Sequence, residues 1–115
     1  MTVFPYWIIG ATDPSTIYIC ESAIDALSLQ QIQRDPNGSA YASIGGCGCK
    51  AAVERIRKTY PLAKLVIAFD RDEAGQNAAK AFSDQKLISV FKDWNEDLIR
   101  KQLTPRSPDD GPEKV

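Results

Sequence analysis

The chain has 115 residues, which suits one domain with a real hydrophobic core. Hydrophobic residues make up 43% of it and charged residues 25%, a balance typical of globular domains. The 14 Lys and Arg residues are offset by 15 Asp and Glu residues, which excludes a global basic field that attracts nucleic acid but not a local basic stripe. No stretch approaches the about 18 apolar residues of a membrane span, so we expect no membrane partner.

The three cysteines are Cys20, Cys47 and Cys49. An odd number of cysteines without a recognisable secretion signal favours a reducing compartment, so we expect a cytoplasmic protein. Cys47-Gly48-Cys49 resembles half of a metal site, but zinc needs about four ligands and the chain has no His. We interpret this tripeptide as small residues in a tight turn.

The first elements along the chain are an edge extension, a strand and a helix. Residues 1–15 begin with an aromatic and apolar stretch, in which Pro5 favours an edge strand or a hairpin arm over a central strand. The apolar run 16–20 predicts a buried strand. A helical pattern follows over 22–34, and Ser22 is expected to cap it together with the acidic residue three positions later.

The later elements continue this alternation. Strands are predicted over 40–44, 64–69 and 87–91, and helices over 50–60, 74–82 and a last stretch that ends at Leu103. Asp93 or Asn95 is expected to cap the last helix. The Pro- and Asp-rich segment 104–115 predicts a disordered tail or linker after a single domain over 1–103. Together the elements predict an α/β fold with a central sheet of about four parallel strands and helices on both faces.

Acidic residues follow two of the predicted strands. Asp70 and Asp72 come directly after the apolar run that ends at Phe69, and Glu21 comes directly after Cys20. Ligands of open α/β sheets bind outside the carboxyl ends of the strands, so these carboxylates are candidates for chemistry. Like charges about 4 Å apart repel by roughly 4 kcal/mol at an effective dielectric near 20, so a shared proton or a cation is required. Oxygen-only ligands favour a hard ion such as Mg²⁺.

Four segments resemble, in the same order, the motifs of the Toprim family, the module shared by bacterial DNA primases, topoisomerases and some nucleases. They read ESAIDAL at 21–27, IGG at 44–46, AFDRDEAG at 68–75 and KDWNEDL at 92–98. The resemblance covers about residues 16–103 and is greatest to the primase-like branch found with plasmid and mobile-element proteins. It implies a Toprim-like, Rossmann-like sheet.

The resemblance also implies a role for each matching acidic residue. Glu21 would be the catalytic general acid–base and a metal ligand. Asp70 and Asp72 would hold Mg²⁺, with Mn²⁺ as a substitute. Asp25 and Asp93 would be outer or additional metal contacts. The chain departs from the usual bacterial primase pattern, because Ser22 stands where Gly is common and no zinc-binding or polymerase subdomain accompanies the motifs.

Four further residues are candidates for phosphate contacts. Gly45 and Gly46 offer backbone N–H groups, although a left-handed turn explains them equally well. Arg71 suits bidentate phosphate recognition or serves as an exposed counter-charge. Lys50 begins a basic helix that is either a phosphate-tracking stripe or a solvated face.

The function implied is Mg²⁺-dependent nucleotidyl transfer or strand cleavage on DNA or RNA, preferentially single-stranded, within a larger primase, helicase or relaxase protein. A second hypothesis is a non-catalytic module that binds metal and nucleic acid for such a partner. A third, a phospho-acceptor receiver-like domain, is disfavoured. It requires an acidic pair after the first strand and a lone Asp after the third, whereas this chain has Glu21 alone and then the pair Asp70 and Asp72.

Overall fold

A computed structural model describes residues 6–35, 38–45 and 50–103 of the chain. The elements in order are β1 Trp7–Gly10, β2 Thr16–Cys20, α1 Ala23–Gln33, β3 Ser39–Ser43, α2 Lys50–Thr59, β4 Lys64–Ile67, α3 Glu73–Ala79, β5 Gln85–Lys86 and α4 Trp94–Leu103. The expected tail 104–115 and the turn around Cys47 and Cys49 lie outside the described residues. The domain boundary at residue 103 therefore stays a prediction.

The five strands form one sheet in the order β1-β3-β2-β4-β5. The strands β2, β3, β4 and β5 run parallel, and β1 pairs antiparallel with β3 at one edge. At the centre, Ile17 lies opposite Ala40 on one side and Leu65 on the other. The predicted α/β fold with four parallel strands is thus confirmed.

Helices cover both faces of the sheet, and each face has its own apolar core. Successive residues of β2 point to opposite faces, so Ile17 and Ile19 join one core while Tyr18 and Cys20 contact the other. The first core includes α2 and α3 through Ile56 and other apolar residues, and the second includes α1 and α4. Within the described residues, no helix combines the length and apolarity needed to cross a bilayer.

Side chains of the acidic motifs cap three of the four helices. Ser22 Oγ accepts a hydrogen bond from Asp25 N at 3.2 Å, so α1 begins where the sequence predicts. Asp72 Oδ1 accepts from Gly75 N at 2.8 Å at the start of α3. Asp93 Oδ1 accepts from the Glu96 amide at 2.8 Å at the start of α4. Two candidates for chemistry, Asp72 and Asp93, therefore also fix where α3 and α4 begin.

The predicted strand over 87–91 is wrong. The fourth parallel strand is only the two-residue β5, and regular strand structure ends at Lys86. Leu87 N still donates to Ile67 O of β4, but from Ser89 onward the backbone bonds to side chains instead of a neighbouring strand: Val90 N donates to Asp97, and Ser89 O accepts from Arg71. Side-chain partners of this kind compete with ladder hydrogen bonds, and the apolar character of residues 87–91 does not reveal them.

Candidate metal centre

The topology brings the ends of two acidic segments together. β2 and β4 are adjacent and parallel, so the residues after their carboxyl ends share one edge of the sheet. Glu21 Oε1 accepts a hydrogen bond from the backbone N–H of Asp70 at 2.9 Å. This bond joins the loop after β2 to the loop after β4, as the convergence of the strand ends predicts.

Three aspartates lie close enough to hold one ion. Asp25, Asp70 and Asp93 each offer one carboxylate oxygen, and these three oxygens lie within 4.8 Å of one another. Asp25 comes from the first turn of α1, Asp70 from the loop after β4, and Asp93 from the residue before α4. The cluster therefore draws on three separate parts of the chain.

Neighbouring groups orient two of these carboxylates. Asp25 is buried, and its Oδ2 accepts from Ser22 Oγ at 2.9 Å while its Oδ1 accepts from Asn95 N at 3.2 Å. Asp93 Oδ1 is held by the cap of α4. The third differs, because the buried Asp70 Oδ1 finds no hydrogen-bond partner among the described residues. Buried polar atoms are almost always satisfied, so this oxygen is the one most suited to a ligand.

The electrostatics of the cluster require a proton or a cation. Burial, followed by the nearby negative charges of Glu21, Asp25 and Asp93, raises the pKa of Asp70 to about 7. Two unit charges 4.8 Å apart repel by roughly 3.5 kcal/mol at an effective dielectric near 20. A divalent ion that binds oxygen ligands would relieve this repulsion and satisfy Asp70 Oδ1, so the residues fit such an ion.

Two of the sequence-predicted ligands lie beside the cluster and not in it. Asp72 is exposed, and one of its oxygens caps α3. Glu21 binds the Asp70 amide and is not among the three clustered residues. Conversely, Asp25 and Asp93, expected as outer or additional contacts, belong to the cluster itself. The metal roles of all five residues stay predictions.

Sequence reasoning assigned no role to two neighbours that support Asp70. A Cβ atom on Gly75 would collide with the Asp70 carbonyl oxygen and lie 2.8 Å from Glu21 Oε1, so only glycine allows α3 to approach this loop so closely. Gln76 Nε2 donates to the same carbonyl at 2.8 Å. A glycine five residues after the aspartate is the one signal in the sequence that points to this close approach.

Trp94 supports the cluster from the other side. It is 5% exposed in the core beneath α1 and α4, and its indole Nε1 donates to the Ala68 carbonyl at 2.9 Å. Since Trp94 follows Asp93 directly, this bond ties the start of α4 to the end of the β4 segment. The sequence predicts neither the bond nor its partner.

The predicted phosphate contacts have varied surroundings. Arg71 is exposed, and its Nη1 donates to the carbonyls of Ser89 and Val90, contacts that the sequence did not predict. Gly45 has a φ of +67°, so it adopts the left-handed turn that the sequence left open. Lys50 is exposed at the start of α2, and Gly46 lies outside the described residues. Their contacts with phosphate stay predictions.

Comparison with known proteins agrees with the fold and the motifs. The model of the Toprim-like family matches residues 18–98. Among solved structures, the primase fragment of the bacteriophage T7 primase-helicase protein is similar to the chain with a TM-score of 0.59 at 20% identity, covering 82% of this chain and 41% of that one. No curated protein matches significantly. This chain thus corresponds to less than half of that fragment, and the likeness is one of fold. Because the family model spans well over half of the sequence, the chain belongs to the Toprim-like family.

Proposed function

We propose that this chain is the Mg²⁺-dependent part of a primase-like or other DNA-processing protein, and that it acts on nucleic-acid phosphodiesters by nucleotidyl transfer or strand cleavage. The observation that carries the proposal is the side chain of Asp70, which clusters with Asp25 and Asp93 and whose buried Oδ1 has no hydrogen-bond partner among the residues that the structure describes. Membership of the Toprim-like family and the likeness to a primase fragment support the choice of substrate. Such work on DNA or RNA would place the protein in the cytoplasm.

The donor set favours Mg²⁺, with Mn²⁺ as a substitute, since the clustered ligands are carboxylate oxygens and include no sulfur or imidazole. Asp25, Asp70 and Asp93 would hold the ion. The second oxygen of Asp72, whose first caps α3, is an additional candidate. When bound, the ion would stabilise the negative charge that develops on the phosphate.

The chain's own residues provide positioning and proton transfer. Glu21 holds the Asp70 backbone through one oxygen, which keeps the Asp70 carboxylate next to Asp25. We propose that the other oxygen of Glu21 takes the proton of the attacking hydroxyl or delivers one to the leaving oxygen. The cluster lies at the carboxyl edge of the parallel strands, where an extended single strand can approach it.

The alternative is an accessory module that binds metal and nucleic acid without turnover. One observation favours it: the chain corresponds to only 41% of the T7 primase fragment to which it is similar. If primer synthesis requires the remaining parts of such a fragment, this domain would bind metal and nucleic acid for a primase, helicase or relaxase that carries out the reaction. Both hypotheses predict the same metal cluster and differ in turnover.

The test combines metal binding with turnover. Mg²⁺ and Mn²⁺ are titrated by calorimetry into the wild type and into Asp70→Asn, Asp72→Asn and Asp93→Asn. In parallel, each protein is incubated with labelled single-stranded DNA or RNA, with and without nucleotides. The matched control is Asp13→Asn, which removes the same charge in the turn before β2, at the opposite edge of the sheet. We expect Asp70→Asn and Asp93→Asn to weaken metal binding by about tenfold or more and the control to leave it unchanged.

Each result separates the hypotheses. Cleavage or nucleotide transfer that is lost in Asp70→Asn and retained in Asp13→Asn would support the hypothesis that the domain is an enzyme. Metal and strand binding without turnover would support the accessory module. An absence of metal binding at millimolar concentration, in the presence of the nucleic acid as well as in its absence, would refute both.

A further inference from the structure

Arg71 lies between two acidic residues of the loop after β4, and it is bound to a distant part of the chain. Its Nη1 donates to Ser89 O at 3.0 Å and to Val90 O at 3.1 Å. Its backbone N–H donates to Lys92 O at 2.8 Å. Three hydrogen bonds from this one residue therefore span the backbone that leads into Asp93.

The same backbone is held from its other side by α4. The amides of Val90 and Phe91 donate to the two carboxylate oxygens of Asp97, at 2.8 and 2.7 Å. The carbonyl side of the segment is thus bound to Arg71 and its amide side to Asp97. Because the segment lies beyond β5, these side-chain bonds replace the ladder bonds that would hold a strand.

The segment held in this way ends at the third carboxylate of the cluster. Asp93 has an oxygen within 4.8 Å of oxygens of Asp25 and Asp70, and Arg71 directly follows Asp70 in the chain. We propose that Arg71 is a positioning residue: by binding residues 89–92 it fixes Asp93 beside Asp70 and so sets the affinity of the cluster for a divalent cation. This inference rests on the metal role proposed above and deepens it.

Electrostatics separates this role from simpler ones. Removal of a positive charge next to a cation site should strengthen cation binding by Coulomb's law alone. A positioning role predicts the opposite, because Asp93 would no longer be held in place. A general contribution of Arg71 to folding predicts lower stability with unchanged metal affinity of the folded protein. A phosphate contact predicts weaker nucleic-acid binding and unchanged or stronger metal binding.

The first experiment is a double-mutant cycle read by Mn²⁺ calorimetry. The variants are Arg71→Met, Arg71→Lys, Asp93→Asn and Arg71→Met combined with Asp93→Asn. We expect Arg71→Met to weaken Mn²⁺ binding about tenfold, as loss of a supporting interaction around a metal ligand commonly does. Lysine keeps the charge, but its amine ends one bond short of the position of Nη1, which makes both side-chain bonds, so Arg71→Lys should be intermediate. In the Asp93→Asn background, Arg71→Met should cause no further loss, since no carboxylate is left to position.

The matched control is Arg55→Met, which removes the same charge from an exposed arginine on α2. α2 covers the face of the sheet opposite to α4, so this variant should bind Mn²⁺ like the wild type. Unfolding by urea is measured for every variant, so that a loss of folded protein is not counted as a loss of affinity.

A second readout needs no metal. In EDTA, hydrogen exchange is followed at the Glu96 amide, which donates to Asp93, and at the Asn95 amide, which donates to Asp25. Arg71→Met should accelerate both by about tenfold, while the Ile44 amide, bonded to the Cys20 carbonyl at the end of β2, changes only with global stability.

Any of three results would overturn the inference. In Arg71→Met, these are unchanged hydrogen exchange at Glu96 and Asn95, or Mn²⁺ binding at least as tight as in the wild type. The third is that Arg71→Met weakens Mn²⁺ binding as much in the Asp93→Asn background as in the wild type. If the wild type fails to bind Mn²⁺ while Arg71→Met accelerates exchange at Glu96, the metal function fails and the positioning of Asp93 by Arg71 stands.

Discussion

Replacement of Asp70 by asparagine should make the metal-free protein more stable at alkaline pH. The pKa of Asp70 is raised from 3.8 to about 7, first by burial and then by Glu21 and Asp25. The folded state therefore binds more protons than the unfolded state between about pH 4 and 7, and the free energy of unfolding of the wild type falls as the pH rises through this window. The asparagine does not titrate, so Asp70→Asn should escape this fall.

The magnitude follows from the shift. One pKa unit corresponds to 1.36 kcal/mol, which gives a ceiling of roughly 4 kcal/mol for Asp70. The side chain is partly exposed, and solvent screening reduces this to about 1–2 kcal/mol in favour of Asp70→Asn at pH 8. At pH 4 the wild-type carboxyl is protonated, and the difference should vanish.

The assay is urea unfolding in EDTA, followed by circular dichroism from pH 4 to pH 8. Asp72→Asn is the matched control, because it removes an equal charge two residues away from an exposed side chain outside the cluster, and asparagine still caps α3. Adding Mg²⁺ at ten times its dissociation constant for the wild type should stabilise the wild type by about 1.4 kcal/mol and Asp70→Asn by much less. An Asp70→Asn variant that is no more stable than the wild type at pH 8, or a gain that is the same at pH 4, would refute the reasoning.

Three other predictions concern the surroundings of the cluster. Trp94→Phe should lower the free energy of unfolding by about 1–3 kcal/mol, because the buried Ala68 carbonyl loses its donor. Gly75→Ala should lower it by about 1–3 kcal/mol through overpacking against the loop and Glu21, as measured by urea unfolding. Cys20 should react with iodoacetamide at pH 8 at least about tenfold more slowly in the folded protein than in urea, because burial and the nearby carboxylates raise the pKa of its thiol. Peptide mapping of the labelled protein measures this rate.

Each of these predictions has a reference. Trp7→Phe, on the exposed edge strand, should change the free energy of unfolding by less than about 0.5 kcal/mol. If Trp94→Phe has an equally small effect, the hydrogen bond from Trp94 to Ala68 does not contribute to stability. Gly38→Ala places its Cβ 3.4 Å from Ser15 Oγ, an ordinary contact, so it should cost less than Gly75→Ala. Labelling of Cys20 in native buffer as fast as in urea would contradict the prediction and would mean that the end of β2 opens readily.

The fold was largely predictable from the local sequence pattern of apolar runs and helix caps, whereas the candidate site was predictable only in part. The apolar runs and the caps at Ser22 and Asp93 depend on neighbouring residues, so the sequence reveals the elements and most of their bounds. The strand wrongly predicted over 87–91 is rich in apolar residues, but the backbone of residues 89–91 binds Arg71 and Asp97. Those bonds join residues that the sequence gives no reason to pair.

The membership of the acidic cluster was harder to foresee. The adjacency of β2 and β4 follows from the fold, and it brings Glu21 to the Asp70 loop as expected. Which carboxylates then face one another depends on the rotation of α1 and on where α4 begins, because these set the directions of Asp25 and Asp93. Strand spacing says nothing about either, so it does not reveal that Asp25 and Asp93 lie in the cluster with Asp70 while Asp72 lies beside it.

The origin of the three clustered aspartates on three separate elements bears on the order of events during synthesis. Asp25 and Asp70 emerge from the ribosome before Asp93, which precedes the last described helix. Until that helix packs against α1, two carboxylates would face each other with an incomplete ligand set. On the metal role proposed above, the nascent domain would gain its full affinity for an ion only after α4 has docked, so metal capture would follow the packing of that helix.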